Sequence, residues 1–86
     1  MSVLSNTVKQ KVYEKNRHCH YCNYVLTFAD MTIDHFVPTS KGGSNSIENL
    51  FASCWECNSL KGDRIIESKK NLKAFRKTAL ERKRSK

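Results

Sequence analysis

Two Cys-x-x-Cys pairs, Cys19/Cys22 and Cys54/Cys57, bracket residues 23–53 and constrain this chain more than any other feature. Thiolates two residues apart can point at one ion while backbone amides screen their charge. Two such pairs therefore predict one closed, four-thiolate zinc site. Two disulfides are the competing reading. A bridge inside a Cys-x-x-Cys is strained and redox-active, and no thioredoxin-like βαβ pattern surrounds either pair. With four protein ligands there is no open coordination position, so the zinc would be structural. His18 and His20 flank the first pair. With four cysteines available, they read as solvent-exposed or phosphate-contacting rather than as ligands. The chain has 86 residues. A chain this short buries only about 60–65% of its unfolded surface, so its core needs such a staple.

The remaining bulk properties narrow the partners. Sixteen Lys and Arg against eight Asp and Glu give a formal charge of +8. A field of that sign attracts polyanions, and together with zinc knuckles it points to nucleic acid. No apolar run is long enough to span a membrane, which predicts no membrane partner. The first 20 residues are polar and helix-like, without the pattern of a secretory signal. That predicts the reducing cytoplasm, where Cys-x-x-Cys pairs stay free to hold metal. No repeat or linker is visible, so residues 1–86 read as one domain.

Apolar spacing sets the expected elements. Leu4, Val8 and Val12 predict a helix over residues 4–17, capped by Ser5 or Asn6. A strand is expected over Met31–Val37, stopped by Pro38. Strict alternation would put Asp34 and His35 on opposite faces, so a bulge or strand end is expected there. Residues 39–45 read as a loop turning at Gly42-Gly43. Residues 46–48 form a turn and residues 49–53 a second strand. A short helix is expected over Asn58–Asp63, and a long basic one from Ile65 with Leu72, Phe75 and Ala79 on its apolar side. Trp55 is expected to pack beside the zinc, and residues 83–86 to fray.

Between the knuckles lies Ile33-Asp34-His35-Phe36-Val37-Pro38. Asp34 offers a hard oxygen suited to magnesium or manganese. His35 belongs to the one side-chain type that is readily neutral at pH 7 and able to accept a proton. Asn58 adds a neutral amide oxygen. Asn49 can hydrogen-bond the backbone or side chain that orients His35. The zinc would fix the distance between the two halves of this second site.

Together, Cys19-His-Tyr-Cys22, Ile33-Asp34-His35-Phe36-Val37-Pro38-x-Ser40-x-Gly42-Gly43, Asn49-Leu50 and Cys54-x-x-Cys57-Asn58-x-x-Lys61-Gly62 resemble the HNH endonuclease family over residues 19–64. The resemblance implies a small α+β domain with a ββα-metal (His-Me finger) core and flanking helices. It also implies DNA phosphodiester hydrolysis with one divalent ion. By that resemblance His35 is the general base, Asp34 and Asn58 are the ligands of Mg2+ or Mn2+, and Asn49 positions His35. Many members end the motif in His where this chain has Asn58, a variant that favours hard ions. The expected products are 5′-phosphate and 3′-hydroxyl.

Phosphate contacts are expected from Lys61, Arg64, Lys69, Lys70, Lys73, Arg76 and Lys77, with Lys9, Lys11 and Lys15 as further candidates. Two other readings stand beside this one. One is a non-catalytic zinc module that binds nucleic acid. The other is a nuclease subunit active only in a larger phage or restriction assembly. A homodimer is also open.

Overall fold

Ser5 opens the first helix: its hydroxyl accepts the Val8 N–H at 3.3 Å, which satisfies one of the amides that a helix start leaves unpaired. The structure, a computed structural model, describes residues 5–84. Leu4, expected in the first apolar stripe, lies outside them, as do residues 85 and 86. Helix α1 (Asn6–Lys15) buries Val12 fully, with Val8 and Tyr13 packed beside it.

Two four-residue strands, β1 (Thr32–His35) and β2 (Leu50–Ser53), pair antiparallel from Thr32 opposite Ser53 to His35 opposite Leu50. The register is continuous, so the open choice at Asp34-His35 resolves as a strand end, without a bulge. The strand is shorter than the expected Met31–Val37. The Val37 N–H is taken by the Asn49 side chain at 2.9 Å rather than by a ladder partner. Short 3-10 turns at Thr39–Lys41 and Ile47–Asn49 occupy the connection. Lys15 reaches from the end of α1 to the carbonyls of Ile47 and Leu50, at 2.8 and 2.6 Å, and lies over the Phe51 ring. It ties the helix to the start of β2.

Helix α2 (Trp55–Lys61) lies across β1, and α3 (Lys69–Arg84) packs on α2. Both begin elsewhere than expected. The second knuckle is the first turn of α2, because the Cys54 sulfur caps it by accepting the Cys57 N–H at 3.4 Å. Residues 65–68 are not helical. Ser68 accepts the Asn71 N–H at 3.0 Å and so starts α3 four residues late. Ile66, not Ile65, is the buried isoleucine, while Phe75 and Ala79 are buried as their spacing implied.

This is a small α+β fold of the ββα-metal type: an antiparallel hairpin crossed by a helix, with helices before and after. No described helix is long and apolar enough to cross a membrane.

Candidate functional site

The four cysteines converge. The sulfurs of Cys19, Cys22, Cys54 and Cys57 all lie within 4.8 Å of one another, and all four residues are buried. A tetrahedral four-thiolate site with metal–sulfur bonds of about 2.3 Å needs sulfurs about 3.8 Å apart. Cys22 and Cys54 stand at 3.8 Å. None of the four forms a disulfide. The set is therefore positioned to hold one metal ion. Burial pushes the Cys22 thiol up to about 11, whereas hydrogen bonds from Cys19 and Cys57 hold Cys54 well below the usual thiol range. Lys83 lies beside this centre. Burial opposes its charge, but hydrogen bonds to Cys54 and Glu56 raise its pKa overall. His18 and His20 stay off the cluster. His18 is exposed, while His20 stacks on Phe51 with ring centres 4.2 Å apart, where burial lowers its pKa. His20 is half-buried, so the exposed reading does not describe it. Trp55 also departs from expectation, being 63% exposed rather than packed.

Asp34 is buried at the face of β1 that α2 covers. Its Oδ2 accepts a hydrogen bond from the Tyr21 hydroxyl, and its Oδ1 pairs with the Lys61 ammonium at 3.2 Å. Burial first, and then the bond to Asp34, push the Tyr21 phenol far above its ordinary range, so it remains a proton donor to the carboxylate. Lys61 also donates to the His35 carbonyl at 3.0 Å. Asn58 sits in the middle of α2. Its amide nitrogen donates to the Thr32 hydroxyl at 3.0 Å and the Ile33 carbonyl at 3.3 Å. That orientation leaves the amide oxygen available to a further partner. Asp34, His35 and Asn58 all line one small cavity of about 140 Å³. Carboxylate plus amide oxygen is a hard donor set, and it fits magnesium or manganese.

His35 closes this cavity at the strand end. Its Nε2 lies 2.8 Å from Asn45 Oδ1. With the amide oxygen of Asn45 as the acceptor, Nε2 is the donor of this bond. Asn49 does not touch the ring. It clasps the chain just after it, accepting from Val37 N at 2.9 Å and donating to Val37 O at 3.0 Å and Ser44 O at 2.8 Å. Gly43 is required here: a Cβ on it would stand 1.7 Å from the Val37 carbonyl oxygen. Gly42 beside it takes φ +88°, the left-handed turn that glycine tolerates.

A sequence model of the HNH endonuclease family matches residues 19–64, more than half of the chain and every residue of both centres. The chain belongs to the HNH endonuclease family. It is also similar to the CRISPR-associated endonuclease Cas9 of Corynebacterium diphtheriae, 42% identical over 55 residues, which make up 63% of this chain and 5% of that protein. The matched segment is thus a small part of that relative.

Within this HNH fold the basic residues divide. Lys69, Lys70, Lys73 and Lys77 are exposed. Their spacing puts them on one side of α3, away from Phe75 and Ala79. Three others are committed to the fold. Lys61, expected at the surface, is buried against Asp34. Arg64 remains exposed but bonds the α2 end at Leu60 O and Lys61 O. Arg76 donates to the Tyr21 carbonyl at 2.6 Å. Sequence reasoning missed the roles of Tyr21, Asn45 and Lys61. Tyr21 and Lys61 stand inside the recognised motif, but their inward direction needs the tertiary fold. No sequence signal marks Asn45 among the polar residues of its loop.

The clasp gives a direct expectation. Asn49→Ala removes three hydrogen bonds, each worth about 0.5–1.5 kcal/mol net. Urea unfolding should show a loss of about 1.5–4.5 kcal/mol, with the loop after His35 loosened. Unchanged stability would mean that water replaces the amide fully.

Proposed function

We propose that this chain is a metal-dependent DNA endonuclease that hydrolyses phosphodiester bonds. His35 is the general base, Asp34 and Asn58 hold one Mg2+ or Mn2+, and the four cysteines hold a structural zinc. The observation that carries the reading is the single cavity shared by Asp34, His35 and Asn58, with its walls fixed by Asn49 and Lys61. The divalent ion supplies charge neutralisation at the phosphate and at the departing 3′ oxygen. His35 Nδ1 takes a proton from the attacking water, while Asn45 steadies the opposite ring nitrogen. Asn49 holds the strand exit so that the imidazole keeps its aim. Cleavage leaves a 5′-phosphate and a 3′-hydroxyl.

The test is incubation with supercoiled plasmid, with and without each divalent ion, beside a non-catalytic control. Relaxed or linear product only with magnesium or manganese supports the reading. Binding without cleavage under every ion leaves a nucleic-acid-binding zinc module.

Phosphate grip is assigned to the exposed lysine face of α3. Replacing Lys69, Lys73 and Lys77 with Ala should weaken DNA binding uniformly across sequences. It should also flatten the log–log salt slope by up to about 0.9 per lost contact. Truncation within α3 is a poorer probe, because Phe75 packs on Tyr21 and Arg76 holds its carbonyl. An unchanged slope in the triple variant would assign the face to another partner.

A second reading has its own support. The similar segment of Cas9 is 5% of that protein, which favours a nuclease unit that works inside a larger protein or assembly. Cleavage by the chain alone, against cleavage only with added partners, separates the two.

A further inference from the structure

We propose that Lys61 makes divalent-ion binding depend on DNA, so that the ion and the phosphodiester bind cooperatively. The inference rests on the nuclease reading above and deepens it. Among the described residues lining the small cavity, Asp34 is the only acid. Its charge is already matched inside the fold. Lys61 is 1% exposed, and its ammonium stands 3.2 Å from Asp34 Oδ1. The same ammonium is anchored by the His35 carbonyl at 3.0 Å. Tyr21 holds the other carboxylate oxygen. Asn58 contributes an oxygen but no charge.

The ion site of the free protein therefore sums to zero formal charge: minus one from Asp34, plus one from Lys61. A dication entering it would leave two uncompensated positive charges beside a buried ion pair. Affinity for such ions follows the number of charged ligands. The missing anion is a phosphodiester, which brings its own negative oxygen to the same cavity. Each ligand then favours the other by the same factor, because coupling between two binding events is reciprocal. Lys61 is a positioning residue: it holds Asp34 and the end of β1, and it keeps the ion from settling tightly before substrate arrives.

The test titrates Mn2+ against the zinc-loaded His35→Ala protein, which should leave DNA uncut, and follows the electron paramagnetic resonance signal of free Mn2+. Titrations are run without and with a short duplex, and the duplex alone is the blank. With duplex, Mn2+ should bind at least about tenfold tighter, within the usual range of coupling between sites. Equal affinity with and without duplex overturns the proposal, and this comparison needs no change at Lys61.

Lys61→Met in the same background keeps the side-chain length and removes the charge. It should tighten duplex-free Mn2+ binding by about tenfold and shrink the effect of duplex. Unchanged or weaker binding in a variant that keeps its helical circular dichroism and its zinc overturns the assignment to Lys61. Asp34→Asn, which keeps an oxygen facing Lys61, separates this inference from the reading beneath it. If Asp34→Asn holds Mn2+ as well as its parent, Asp34 is not the ligand and the nuclease assignment itself fails. If it loses Mn2+ while folded Lys61→Met gains none, only the coupling fails.

Discussion

Stripping the metal from the four cysteines is expected to unfold the domain. Four of the thirteen buried apolar residues among those described are those cysteines, so the core is built around the site rather than beside it. Cys54 caps α2, and Cys57 lies in the first turn of the same helix. Tyr21, between the first two ligands, packs on Phe75, holds Arg76 of α3 and reaches Asp34. Losing the ion therefore releases both helices and the carboxylate together. Structural zinc contributes about 10–16 kcal/mol in small zinc peptides at neutral pH. The whole stability of a domain is typically about 5–15 kcal/mol. Chelation should abolish the helical circular dichroism signal, readdition of zinc should restore it, and Cys57→Ala should behave like the chelated protein. Metal analysis should find about one tightly held zinc per chain. A chain that stays folded and metal-free would sink the staple.

The residues that could be read in the sequence are those whose chemistry is local. The sulfurs of a Cys-x-x-Cys converge through their own short loop, so the four-sulfur cluster needed only spacing. Gly42 and Gly43 announced a reversal, and the structure supplies the reason for Gly43, a close approach to the Val37 carbonyl. The alternation around Asp34-His35 left a strand end there as one of two readings, whereas Pro38 places the stop two residues too late. The less legible features depend on what lies across the fold. Lys61 looked like one more surface cation because charge says nothing of direction. Only the docking of α2 on β1 turns it toward Asp34. Arg64, Arg76 and Lys15 are expected from charge alone to contact phosphate, and the fold gives each of them hydrogen bonds to backbone carbonyls. The boundaries of α2 and α3 moved because caps decide them: a cysteine sulfur in one case and Ser68 in the other. A sulfur cap is hard to foresee when the same atom is counted as a metal ligand.

His35→Ala should lower plasmid cleavage about 10²–10⁴-fold, the usual contribution of a general base, while the fold, the zinc and DNA binding persist. The structure explains why this variant isolates chemistry. His35 is only half-buried, and its ring bonds the exposed Asn45. What the fold needs from this position is the backbone carbonyl that receives Lys61, which alanine retains. The stability change should stay near the ±0.5 kcal/mol typical of surface positions. Asp34→Ala is a different experiment. It leaves the buried Lys61 ammonium without its carboxylate, and breaking a buried ion pair from one side costs about 3–5 kcal/mol. That is a large share of what a chain this size has to spare, so lost activity there would mix lost ion binding with lost fold. Rates should therefore be compared for His35→Ala and parent at equal zinc content, over a series of Mn2+ concentrations. Raising Mn2+ should not rescue His35→Ala, because a missing proton acceptor is not replaced by more ion. If His35→Ala cuts as fast as the parent, with contaminating nuclease excluded, His35 is not the base, and the chain is better described as a zinc-stapled nucleic-acid-binding module.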